Sequence, residues 1–250
     1  MGRLVQAEWT KLLSTRVWIG LLLGGCVLSG GFAALITGLA GQTDGPPAVG
    51  TVEYEQVAFS LASNGSILSL VLGIIGMTQE YRHRTATPTF LASPRRWRVV
   101  VAKVIGYLVA GIPFAAVVCA VDLLVVEVYA GARGKAPSLS GDNLQVLAGA
   151  GLAIVIYTVI GVGVGALFRN QVGAIVGSLV YLFVIENIIS GIGAISGIYK
   201  WLPGGALQAV TNSTQGPDVL DQWQGAVLLL GYGLIFAILG TVLAVRRDVV

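Results

Sequence analysis

Charge is what this sequence has least of. Asp, Glu, Lys and Arg make up 11% of its 250 residues, where a soluble domain carries about 25%, so it cannot form a water-facing surface of ordinary extent. Histidine occurs once and cysteine twice. A single histidine excludes an H-E-x-x-H helix and any two-histidine metal site. Cys26 and Cys119 both fall in apolar runs, so they form neither a disulfide framework nor a thiolate site and read as packing residues. No metal is expected. A phosphate-cradling G-x-x-x-x-G-K-[ST] loop is also missing, because "GARGKAPS" has neither its spacing nor its hydroxyl. The chain is therefore not expected to hydrolyse ATP by itself. No serine stands in a G-x-S-x-G elbow, and the lysines all read as lying at span edges, away from any Ser–Lys pair at membrane depth. No catalytic constellation can be assembled, and none is expected.

What is abundant is apolar. Hydrophobic residues reach 55%, mean hydropathy is +0.83, and there are 35 glycines. Several runs exceed the roughly 18 residues that mark a spanning helix. Six spans are expected, at 17–40, 57–79, 99–121, 144–168, 172–198 and 225–245. They must be helical, since in hydrocarbon each backbone amide has to be satisfied within its own segment, and the alternation of a β-barrel is absent. The expected fold class is thus an all-α polytopic membrane protein with one transmembrane domain, 1–250, and no internal repeat. The lead "MGRLVQAEWTKLLSTR" is basic like a signal peptide, but the apolar run after it is too long and lacks a small-x-small cleavage site.

The positions of the 15 Lys and Arg residues set the orientation. With the N-terminus inside, all fall on the inner face except Arg133, Lys135 and Lys200. Both termini are then cytoplasmic, as expected of a multi-pass protein of the plasma membrane. The acidic loops "QTDGPPAVGTVEYEQ" and "NSTQGPDVLDQWQG" face outward. A formal charge of +3 spread in this way points to membrane lipid as partner and not to nucleic acid.

Before the first span, Leu4, Val5, Trp9, Leu12 and Leu13 share one side of a helix. That suits a helix lying in the cytoplasmic interface; a plain basic lead is the simpler reading. Glycine pairs four apart, Gly20/Gly24, Gly161/Gly165 and Gly193/Gly197, permit close helix approach. Between the fifth and sixth spans, "LPGGALQAV" is apolar enough to form a re-entrant or interfacial segment, with an ordinary loop as the alternative. Glu186 is the one ionisable residue read as lying well inside a span. It is costly there, and it is a candidate for a cargo path together with Asn187, or else a hydrogen-bonded structural residue. Asp122 and Glu127 read as marking the outer water interface.

Residues 78–103, "TQEYRHRTATPTFLASPRRWRVVVAK", gather arginines, the histidine and two prolines between two apolar runs. Thr87-Pro88 offers an N-cap with proline at the first helical position, and Pro94 ends the segment. This predicts a short cytoplasmic helix between basic flanks. The stretch "EYRHRTATPTFLASPRR" resembles the E-x-R-x-G-T…L-x-[ST]-P pattern between the second and third spans of ATP-binding-cassette type-2 exporter permeases. "EWTKLLSTR" also resembles the interfacial helix of that family, and the resemblance spans nearly the whole chain. It implies a coupling helix that meets a separate cytoplasmic ABC ATPase through Glu80, Arg82, Thr85, Pro88 and Leu91, with ATP and Mg held by that partner and no cofactor in this chain. Arg84 departs from the family, which often has glycine there. Six spans are too few for a whole exporter of this kind, which implies a second permease copy or paralogue. The alternative is an ATP-independent carrier or channel, which ionisable residues at mid-membrane would favour.

Overall fold

The computed structural model describes residues 2–43, 45–83, 96–139, 141–192, 196–211 and 220–246. The expected coupling helix, with Thr85, Pro88 and Leu91, lies outside the described residues, as does Gly193. What is described is helical, with no strand. Six helical stretches are long and apolar enough to cross a membrane: Val17–Leu39, Val52–Arg82, Trp97–Ala132, Gly141–Phe168, Gln171–Gly191 and Gln222–Val242. The chain is a polytopic membrane protein. A separate helix, Gly2–Ser14, precedes them, and a short one, Pro203–Val210, fills the connection before the sixth.

The spans match the apolar runs, but the second and third extend well past their expected ends. The second begins at Val52, because Thr51 caps it by accepting from the Tyr54 backbone N–H. Hydropathy assigned "TVEYEQ" to an exposed loop, yet Tyr54, Glu55 and Gln56 are buried. Glu55 is acceptable there because Asn143 Nδ2 and the Ser138 backbone N–H and hydroxyl all donate to its carboxylate. One 3-10 turn, Leu61–Asn64, then joins Val52–Ser60 to Gly65–Arg82. The third helix runs from Arg96 to Ala132 without stopping at Pro113. At 37 residues it is about 55 Å long, well over the roughly 30 Å of a hydrocarbon core. The fifth span is shorter than expected and ends at Gly191.

The fourth span is the axis of the bundle. Its most apolar window is 72% buried, whereas that of the fifth span is 11% buried. Small residues let its neighbours approach backbone to backbone: a side chain at Gly161 would strike the Leu70 carbonyl, and one at Gly73 would strike that of Thr158. Of the glycine pairs singled out in the sequence, Gly161/Gly165 makes such a crossing, against the second span. Gly20 faces open space, and Gly24 meets only the end of Leu68. The fourth and fifth spans join through a two-residue turn, Arg169-Asn170, in which Arg169 takes a positive φ of 52° and Asn170 caps the next helix by accepting from Gly173 N–H.

The two ends of the bundle are tied differently. At the end away from the N-terminal helix, the Arg133 guanidinium donates to the carbonyls of Thr37 (2.8 Å), Gly38 (3.2 Å) and Ala40 (3.3 Å). These are among the last carbonyls of the first span, which have no partner inside their own helix.

Candidate functional site

Two buried groups of polar side chains stand out. The first lies where the N-terminal helix, the second span and the third helix meet. Glu8 sits in the apolar stripe of its helix, one turn from Leu4 and one from Leu12, so folding carries it inward, and it is 5% exposed. Lys103 occupies the same kind of position, among Val99, Val100 and Tyr107, and is wholly enclosed. Lys103 Nζ donates to Glu8, lies 3.0 Å from the Glu80 carboxylate and reaches the Gly76 carbonyl at 3.2 Å. Lys11 Nζ bridges the same two acids, at 2.8 Å from Glu8 and 2.7 Å from Glu80. Burial works against the Lys11 charge, but the two carboxylates outweigh it and hold its pKa above the ordinary 10.5.

Glu80 therefore turns inward, at 5% exposure. Arg82, two residues later, is exposed and donates to Gln171 at the start of the fifth span, at 3.3 Å. Lys103 stands near a span edge as expected, level with Glu80 at the end of the second span and with the N-terminal helix, but it is enclosed there and not solvated. A sequence signal existed for this group: a charged residue inside an apolar helical stripe requires an opposite partner. Nothing in the sequence said which.

The second group surrounds Glu186. A π-turn, Tyr181–Ile185, interrupts the fifth span just before it. Such a turn holds one residue more than an α turn, so residues five apart come onto the same side, and the Tyr181 hydroxyl bonds the Glu186 carboxylate. The Gly204 backbone N–H, one of the unsatisfied first-turn donors of the Pro203–Val210 helix, donates to Glu186 Oε1 at 3.3 Å. A β-carbon there would push the carboxylate aside, so glycine lets Glu186 rest directly on this backbone. Glu186 is 2% exposed, and no ion pair to it occurs among the described residues. Asn187 does not join it: its exposed side chain donates to the Phe183 carbonyl of its own helix, at 2.9 Å.

Beside this carboxylate lies a cavity of about 460 Å³ between the second, fourth, fifth and sixth spans. Tyr157, Tyr181, Tyr232, Pro203 and Ser178 line it, with apolar residues elsewhere and, among the described residues, neither Lys nor Arg; the Ser178 hydroxyl donates to the Ala174 carbonyl of its own helix. The Tyr157 hydroxyl is buried with no partner among the described residues, while Tyr232 donates to the Trp201 carbonyl at 2.7 Å.

A further carboxylate was misread from the sequence. Asp122, expected at the water interface, is fully buried and accepts from the Ser29 hydroxyl at 2.9 Å, with Oδ2 unpartnered among the described residues. Ser29 lies near the middle of the first span, so Asp122 sits at mid-height of the bundle. The overlong third helix, whose first turns pack below against the N-terminal helix, shifts its numbering relative to depth. Glu186 is thus not the one ionisable residue inside the bundle. No protein-family model matches this chain, and no curated protein matches it significantly.

Proposed function

We propose that this chain is the membrane-spanning permease subunit of an ATP-binding-cassette exporter, moving cargo outward across the plasma membrane. A separate cytoplasmic ATPase supplies the energy, and a second permease copy or paralogue completes the pore. The observation that carries this reading is the enclosed charge group at the root of the second span. A motor pushing on residues 84–95 does work on the membrane only if that segment is held at a stiff base; otherwise its force is lost in local bending. Glu80, bonded to Lys11 and Lys103, joins the segment's root to the N-terminal helix and the third helix, so a push there moves three elements together. The resemblance of "EYRHRTATPTFLASPRR" to the exporter pattern supports the same assignment. The Lys/Arg asymmetry supports cytoplasmic termini.

In this proposal Glu80 anchors the coupling segment from within, and the exposed Arg82 is the better probe of the partner. The tagged chain, purified from its native membrane, should carry an ATPase whose hydrolysis rises when both are reconstituted together. Arg82→Ala should lose that stimulation while inserting and folding normally. Transport that proceeds in proteoliposomes without any ATPase would sink the proposal.

One observation favours a second reading, an ATP-independent carrier: two carboxylates, Asp122 and Glu186, are buried inside the bundle, as proton- or ion-coupled transport requires. Cargo movement driven by a proton gradient alone would establish it.

A further inference from the structure

We infer that the cavity beside Glu186 is a binding site for a lipophilic organic cation, with the apolar body in the cavity and the positive charge at its tyrosine-lined end. The volume of about 460 Å³ falls in the roughly 300–1,000 Å³ range of small-molecule sites. Its walls are almost wholly apolar, which selects a hydrophobic body. Its three tyrosines all lie close to Glu186, while the remaining polar side chain, Ser178, donates to the Ala174 carbonyl of its own helix. Tyr157, Tyr181 and Tyr232 present aromatic rings, whose faces attract cations. The Glu186 carboxylate stands directly behind Tyr181 and Pro203, bonded to the Tyr181 hydroxyl and the Gly204 N–H. The buried Tyr157 hydroxyl adds an oxygen that no described residue uses. No lysine or arginine among the described residues lines the space, so an anion would find no counter-charge there.

That such a cation is the cargo rests on the transporter reading above; that it binds does not. The test uses the purified full-length chain in lipid nanodiscs without any ATPase, so a missing ATPase partner leaves the result standing. The probes are tetraphenylphosphonium and tetraphenylborate, which share four phenyl arms and differ in the sign of their charge. The native chain should bind the phosphonium more tightly than the borate. Glu186→Gln should weaken phosphonium binding about tenfold or more without weakening the borate. Gly177 lines the cavity, and a β-carbon there meets only the edge of Phe168 at 3.9 Å, so Gly177→Leu should fold and fill the space. It should weaken binding of the phosphonium whether or not Glu186→Gln can be purified. Equal affinity for the two ions, expected if the cavity only holds a lipid tail, would overturn the inference. So would unchanged phosphonium binding in Glu186→Gln or in Gly177→Leu.

Discussion

Two buried acidic centres in this protein are treated in opposite ways. At the root of the second span, Glu8 and Glu80 face Lys11 and Lys103, so positive and negative charges balance within a few ångströms. At Glu186 the carboxylate meets a phenol and a backbone amide, both neutral. A balanced group leaves little field outside itself and serves to hold three helices in one arrangement. The second has no opposite charge among the described residues, so wherever its carboxylate is ionised the charge acts strongly on the low-dielectric cavity beside it. The first centre is built to be complete, and the second to be completed by something else.

The comparison breaks most severely if the balance is upset. Lys103→Met leaves two enclosed carboxylates with one partly exposed lysine, and breaking a buried pair costs on the order of 3–5 kcal/mol. Thermal unfolding of the purified chain should show a large loss, and an unchanged melting temperature would mean the group is ornamental. Next in size, Glu80→Gln combined with Lys103→Met should be less damaging than Lys103→Met alone, by roughly 0.5–3 kcal/mol. Simple additivity in that double-mutant cycle would deny that the two side chains act on each other.

Glu186→Gln should change stability by no more than about 1 kcal/mol, since the amide oxygen can still accept from Gly204. A melting temperature that falls as far as for Lys103→Met would erase the contrast between the two centres. The smallest expected effect is that of pH on Lys11. Its pKa is raised in the folded chain, so its stabilisation is fully present below the unfolded value of 10.5 and is lost only as pH rises through the higher folded value. Stability should therefore be as flat from pH 6 to pH 9 in the native chain as in Lys11→Met; a difference in slope between them would contradict this assignment.

How much of this was legible in the sequence depends on whether the information was local. The six spans were, because lipid as solvent makes composition over some twenty residues decisive. So were the burial of Glu186 inside a span and the apolar segment at Pro203–Val210, each visible in its own stretch. The rest depended on distant partners. Asp122 looked like the end of a span because a lone carboxylate ends an apolar run, and its partner Ser29 is 93 residues away. Glu55 looked solvated for the same reason, its ligands Ser138 and Asn143 lying in the connection before the fourth span and in the first turn of that span. The π-turn at Tyr181–Ile185 left no mark at all, since "YLFVI" is an unremarkable helix by composition. The resemblance at residues 80–96 pointed to Glu80 as a contact with a partner, whereas the inward turn of its side chain became visible only once Lys103 was placed.

Arg133 brings time into the picture. The terminal carbonyls of the first span that it holds, from Thr37 to Ala40, are made 93 to 96 residues before it, and Glu8 is made 95 residues before Lys103. At synthesis rates of about 5–20 residues per second, those groups wait roughly 5 to 20 s for their partners. During that interval the first span and the N-terminal helix have neither clamp, and their tilt and depth are free to adjust. Both clamps come from a single helix, Arg96–Ala132, so they arrive within a few seconds of each other. The birth of the third helix fixes, almost at once and at both ends, everything that was synthesised first.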